Sequence, residues 1–274
     1  MVLKILLFFI MLGFFRPTKT KQIKGDNAIS ELSYVDVNGA AHCLLIRSYN
    51  KDNPIILFVH GGPCNSDIPF ITQYQKQLEK HFTIIHYDQR GCGKSYNCFQ
   101  SYQDLNAQLL VDDLLVLSEM IKQKYKQKII LLGHSYGTYL GLQAAQKRPD
   151  LYRAYIGVGQ VADSLTNEKA ILDYLLVQAN QPSEKRYLRK IKPQIKKGKR
   201  LAPRLYVHKY KGAARKINIT AKMIQGHLFS LEYNFKDSFK LLIGIIKNQN
   251  KLERAEAEFP LPTLVPSIEI PMYF

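Results

Sequence analysis

The sequence predicts an α/β protein with a mostly parallel sheet and a helical cap inserted late in the core. Three observations carry this. Short apolar runs alternate with helical patterns from Pro54 to Val161, residues 163–262 then turn mainly helical and polar, and a strand-like run resumes from Ser267 to Phe274. Strands that alternate with helices argue for parallel pairing through right-handed crossovers.

The elements follow in order. Glu31–Val37 and Cys43–Arg47 flank Asn38-Gly39, a hairpin signal. Pro54–Val59 (PIILFV) is solidly apolar, as a strand covered on both faces should be. Phe70–His81 is expected to be helix, and Phe82–Asp88 a second buried strand. Leu105–Lys124 carries Leu109, Leu110, Leu114, Leu117, Met120 and Ile121 at helical spacing. Lys128–Leu132 (KIILL) is the third apolar strand, Tyr136–Lys147 a helix stopped near Pro149, and Tyr155–Val161 a fourth strand. The predicted divisions are 1–24, a hydrophobic membrane segment with a basic linker; 25–162, the core; 163–262, the cap; and 263–274, a resumed core strand.

The chain has 274 residues, 46% hydrophobic and 22% charged, enough for one such domain and unlike a disordered chain. Its formal charge of +17 favours an anionic partner. Cys43, Cys64, Cys92 and Cys98 form no CxxC pair and no zinc-like spacing, so they are expected as mostly free thiols, with no metal or other cofactor. Ile5–Phe15 is an uncharged apolar run followed by Arg16, Lys19, Lys21 and Lys24. Its helix would reach about 16 Å against roughly 30 Å of hydrocarbon, and no A-x-A cleavage site follows. A membrane anchor clipped at its start is expected, which makes the protein membrane-associated. The basic residues after the run favour a cytoplasmic catalytic domain.

The chemistry sits at the strand ends. Gly133-His134-Ser135-Tyr136-Gly137 fits G-x-S-x-G between a strand and a helix, where a tight turn lifts Ser135 above the sheet as a nucleophile. His60-Gly61-Gly62-Pro63 follows PIILFV, and its glycines let backbone approach a substrate. The Gly62 and Tyr136 N–H groups are the expected oxyanion hole. Gly91-x-Gly93-Lys94-Ser95 ends like a phosphate loop, but G-x-x-x-x-G-K-[ST] needs glycine where Asp88 stands. A structural role is expected instead, with Asp88 and Arg90 as a charge pair bracing the loops beneath the site. His60 and His86, at strand ends, are expected to be structural, and His134 to point away from the serine.

HGGP, DQRGCGKS and GHSYG, in that order and spacing, resemble the proline iminopeptidase branch of the α/β-hydrolase fold, strongly over residues 30–162. The resemblance implies removal of an N-terminal residue, often proline, from peptides by way of an acyl-enzyme. Some relatives are esterases or amidases, and a binding protein that keeps the scaffold without catalysis is the other class. The family usually has glycine where Cys64 stands; a positive φ there would cost a cysteine roughly 1–2 kcal/mol and bring its side chain near the oxyanion hole. In the family the triad acid follows the strand that SIEIPMYF resembles, and the histidine follows one strand later. Neither position falls within these residues. The chain as written is expected to lack the last strand and closing helix, to be nearly inactive and to be poorly soluble. Asp163, His208 and His227 are the possible substitutes for the missing acid and base.

An aminopeptidase must also hold a cationic α-amine. Glu168, Asp173, Glu232, Asp237, Glu253, Glu256 and Glu258 are cap acids that could do so, and Glu232, within the apolar FSLEYNF, is preferred. The cap has no acid from Lys185 to Lys216, only basic residues. Docking on anionic lipid is one reading of that cluster, a solvated face another. Nucleic acid is not expected, because no aromatic-interleaved platform accompanies it.

Overall fold

The computed structural model describes residues 13–197, 202–212 and 216–274, apart from the side chains at 219, 220, 255, 257 and 258. The apolar run up to residue 12, the basic Lys199, Arg200 and Arg215, and the Glu258 side chain therefore lie outside the described residues.

Seven strands form one sheet: β1 (Ile29–Val37), β2 (Ala40–Ser48), β3 (Ile55–Val59), β4 (Thr83–Tyr87), β5 (Ile129–His134), β6 (Tyr152–Val158) and β7 (Met272–Tyr273), in the order β1-β2-β4-β3-β5-β6-β7. The β1–β2 hairpin turns at Asn38 (φ 50°) and Gly39 (φ 72°), the left-handed pair that a two-residue turn requires. β2 joins β4 antiparallel, and every pairing from β4 through β7 is parallel. Register places Phe58 opposite His86, and Val59 opposite Gly133. The segments beginning at His60, Asp88 and His134 therefore leave the sheet at one rim.

Helix α1 is short (Ile68–Ile71), α2 spans Ala107–Tyr125 and α3 Tyr136–Lys147. Asn106 starts α2 by accepting the Leu109 N–H at 2.9 Å, and Leu110, Leu114, Leu117 and Ile121 bury one face in the core. The helix expected over Phe70–His81 is absent; α1 and one 3₁₀ turn (Leu78–Lys80) replace it. Buried polar side chains explain the difference. Gln75 bonds His86 at 2.8 Å and Glu79 at 2.9 Å, and Glu79 pairs with Arg47 at 2.7 Å, so long-range partners hold the segment in turns. β6 starts three residues before its predicted position. The final strand is confined to Met272–Tyr273, because Pro271 has no N–H to pair, although its carbonyl accepts from Tyr155 at 2.9 Å.

The cap holds α4 (Ser164–Gln178), α5 (Pro182–Lys196), α6 (Arg204–Lys209), α7 (Ile219–Phe229), α8 (Phe235–Glu258) and α9 (Leu261–Leu264). α4 and α5 share a core of their own, with Leu172 and Leu175 against Leu188, Ile191 and Ile195. α8 reaches back to the sheet side, where Asn248 donates to the Gly91 carbonyl at 3.0 Å.

Residues 16–23 are not a free linker. The Arg16 guanidinium donates to the Ser230 and Tyr233 carbonyls, the Lys19 N–H to Leu231 at 3.0 Å, and the Ile23 N–H to Ser30 Oγ at 2.8 Å. Extended backbone with unpaired donors finds acceptors on the cap and on β1, forming a strap. Among the described residues no helix is long and apolar enough to cross a membrane. The cysteines also depart from expectation. Cys64 and Cys92 are disulfide-bonded, with Cα atoms 4.9 Å apart, while Cys43 and Cys98 are free. Parallel pairing of β3 and β4 brings the two following loops together, which a separation of 28 residues does not announce.

Candidate active site

Ser135 sits between β5 and α3 with φ 51° and ψ −123°, a sharp bend outside the ordinary regions. Its N–H reaches the Val158 carbonyl at 2.9 Å, and its own carbonyl accepts the Thr138 N–H at 2.8 Å and Oγ1 at 2.6 Å. The flanking glycines are steric necessities. A Cβ at Gly133 would lie 2.8 Å from the Gly137 carbonyl, and one at Gly137 would overlap the Val59 carbonyl oxygen. The close approach of α3 to the end of β3 holds the bend. Ser135 is half-buried at the N-terminus of α3, where the helix dipole favours negative charge.

The loop after β3 meets it. A Cβ at Gly61 would stand 2.9 Å from Ser135 Cβ, so the backbone at 61 lies directly against the serine. Gly62 is exposed, with φ 121°, and Cys64 has φ 64°. Cys64 thus has the positive φ that favours glycine, but its side chain is fully buried and bonded to Cys92.

A family model for the alpha/beta hydrolase fold matches residues 54–203, from the strand before HGGP into the cap. The chain belongs to the alpha/beta hydrolase fold family. Among its relatives, the probable aminopeptidase YbaC of Bacillus subtilis is 27% identical over 258 residues, covering 90% of this hydrolase and 80% of YbaC. A proline iminopeptidase of Saccharolobus solfataricus is 28% identical over 56% of this chain and 49% of its own length. The crystal structure of proline iminopeptidase from Mycobacterium smegmatis shares the fold, with a TM-score of 0.61 at 16% identity over 88% of this chain and 80% of that one.

Supporting residues of this hydrolase fall into two groups. His60 is buried; Nδ1 meets the Gly61 carbonyl at 3.0 Å and Nε2 accepts the Gln89 N–H at 3.1 Å. Nδ1 therefore carries the proton. Burial lowers the pKa of His60 to about 4, so it is a neutral brace. The charge pair expected between Asp88 and Arg90 does not form. Asp88 turns into the core, where Oδ2 accepts the Lys94 N–H at 2.7 Å and the Tyr233 hydroxyl, and burial raises its pKa. Arg90 turns the other way, forking onto Asp113 with two bonds of 2.7 Å and onto the Val37 and Asn38 carbonyls at 3.0 and 3.1 Å. It ties the hairpin turn to α2, because Asp113 is buried and needs a cation.

Among the described residues no histidine is hydrogen-bonded to the Ser135 hydroxyl. His227 meets Ser238 Oγ at 3.0 Å, His86 meets Gln75 at 2.8 Å, and His208 and His134 are exposed. Asp163 caps α4 through the Leu165 and Thr166 N–H groups at 2.9 and 3.1 Å. The cap acids are similarly occupied. Glu232 is buried, accepting from Thr20 at 2.8 Å and Ser230 at 3.2 Å. Asp237 pairs with Lys94 at 2.6 Å, Glu168 with Arg204, and Asp173 with Lys192 at 3.8 Å. Glu253 accepts from Gln249 at 2.9 Å, and Glu256 is buried. Sequence reasoning missed Asp67, half-buried just past the HGGPC loop, whose pKa rises to about 7 through burial and then the nearby Asp88 charge. It also missed the strap hydroxyl Thr20, which no local pattern marks.

Proposed function

We propose that the protein is a serine hydrolase that removes an N-terminal residue, of proline type, from peptides. Ser135 Oγ attacks the carbonyl carbon of the first peptide bond. The Gly62 and Tyr136 N–H groups stabilise the resulting oxyanion. Collapse breaks the C–N bond, the amine leaves with the serine proton, and water hydrolyses the acyl-enzyme. One observation carries this reading: the strained bend at Ser135 with the Gly61 backbone packed against its Cβ. The motif order shared with the iminopeptidase branch supports the substrate class. Because no histidine bonds the serine among the described residues, the 274-residue chain is proposed to turn over slowly. Chains that lose a triad member keep about 10³–10⁴-fold catalysis over water.

Prolonged exposure to a fluorophosphonate, followed by peptide mapping, tests the nucleophile. The expected adduct is on Ser135, forms faster as pH rises and hydroxide replaces the base, and is lost in Ser135→Ala. An adduct spread over other residues, or unchanged in that variant, contradicts the assignment. A second reading, an esterase or amidase for neutral substrates, is favoured by the engagement of Glu232, Asp237 and Glu168 with protein groups, which leaves them poorly placed to greet an ammonium. Comparing prolyl arylamide with p-nitrophenyl ester hydrolysis separates the two. A higher kcat/KM for the arylamide supports the aminopeptidase.

A further inference from the structure

An apolar surface lies where the N-terminal strap meets the cap. Phe15 leads into Arg16, whose guanidinium grips the carbonyls of Ser230 and Tyr233. A Cβ at Gly13 would overlap the Phe235 ring, so residue 13 lies against the first turn of α8. Phe239, Leu242 and Ile246 continue from Phe235 at helical spacing, and all three are exposed. They point away from the buried face of α8, which carries Leu241, Asn248 and Leu252. The contact of His227 with Ser238 at 3.0 Å joins the end of α7 to the start of α8, and Leu228 and Phe229, the next residues of α7, are exposed as well. Phe229 is 72% exposed and Ile246 69%, so this is not a row of half-covered core residues.

The charge around it has one sign. From 219 to 252 the sequence has five lysines (222, 236, 240, 247, 251), of which Lys251 is held by the Tyr102 and Gln103 carbonyls, and only two acids, Glu232 and Asp237, both buried; the next acid, Glu253, comes seven residues past Ile246 and accepts from Gln249 at 2.9 Å. A second copy would bring lysines against lysines. An anionic bilayer supplies both complements, acyl chains for the aromatic and aliphatic side chains and headgroups for the lysines. The sequence adds a third point, since Gly13–Phe15, the described end of the uncharged run Ile5–Phe15, lies at this surface.

We propose that Phe15 and the exposed faces of α7 and α8 dock at the headgroup–acyl boundary of an anionic lipid bilayer. Such docking lies in the membrane plane and requires no spanning helix. It does not rest on the hydrolase reading.

The chain contains no tryptophan, so single indoles can report on it. Full-length Phe229→Trp, Ile246→Trp and Tyr49→Trp chains, the last at the opposite rim of the sheet, are mixed with phosphatidylglycerol-containing vesicles that carry acyl-chain bromines. Interfacial burial of roughly 5–10 Å puts an indole at 229 or 246 within reach of the bromines. The expected result is a blue shift and about two-fold quenching or more at 229 and 246, neither at 49, and much weaker quenching in neutral phosphatidylcholine vesicles. Flotation with the vesicles while the indoles at 229 and 246 stay unquenched would show attachment through another part of the chain and overturn the proposal. A blue shift at 246 that grows with protein concentration without lipid would overturn it in favour of self-association. So would a failure to bind vesicles at all.

Discussion

Gly137 and Gly61 show how little room surrounds the serine. Gly137→Ala pushes a methyl onto the Val59 carbonyl, so it is expected to cost about 1–3 kcal/mol in urea denaturation. An unchanged midpoint would mean that α3 is not seated as described. Cys64 has a left-handed φ with its side chain turned away to Cys92, so the disulfide clamps the loop that carries Gly61 and Gly62. Replacing both cysteines by serine should cost about 2–4 kcal/mol under oxidising conditions, and a thiol titration of the unreduced chain unfolded in denaturant, which exposes the buried Cys43, should find two free cysteines rather than four. At this scale the sequence announced what depends on neighbours in the chain. Ser135, its glycines and the HGGP loop were legible because a tight strand-to-helix turn needs those residues in place. The partner of Arg90 was not, since Asp113 sits on another element and is brought near only by the packing of α2.

Elements were legible where periodicity decided them. The hairpin around Asn38-Gly39, the buried strands β3 to β5, and α2 and α3 fall where their patterns put them. The segment from Phe70 to His81 did not, because its structure comes from buried Gln75 and Glu79 reaching β4 and β2 rather than from an apolar face. The strap was illegible for the same reason, since its hydrogen bonds to the cap run to residues more than two hundred positions away. For α2, the cap is a specific dependence. Asn106→Ala removes the acceptor for the Leu109 N–H and is expected to lower stability by about 1 kcal/mol, with Asn106→Asp restoring it. Loss in both variants alike would point to another role for this side chain.

Across the whole molecule, buried imidazoles set the acid limit. Burial lowers the pKa of His60 to about 4 and that of His86 to about 3, each from 6.5. The folded chain therefore binds fewer protons than the unfolded chain below pH 6.5, and stability falls as pH drops from there toward 4. Asp67 works in the opposite sense. Its raised pKa makes the folded chain hold a proton that the unfolded chain has lost, which favours folding at lower pH. Asp88 is raised by burial as well, but His134 and His227 are lowered by it, so four imidazoles stand against two carboxyls and chemical denaturation should show a net loss of stability between pH 6.5 and 4. A flat profile over that range would argue that the two histidines are not sealed in the core.

The same parallel register that buries those rings delivers His60, Asp88 and His134 to one rim, and the functional account depends on that convergence. A crystal structure of the fluorophosphonate-treated chain tests it most directly. The account predicts phosphorus bonded to Ser135 Oγ, with a phosphoryl oxygen about 2.7–3.1 Å from the backbone nitrogens of Gly62 and Tyr136. Phosphorus at Ser135 with that oxygen turned to solvent, away from both nitrogens, would contradict it.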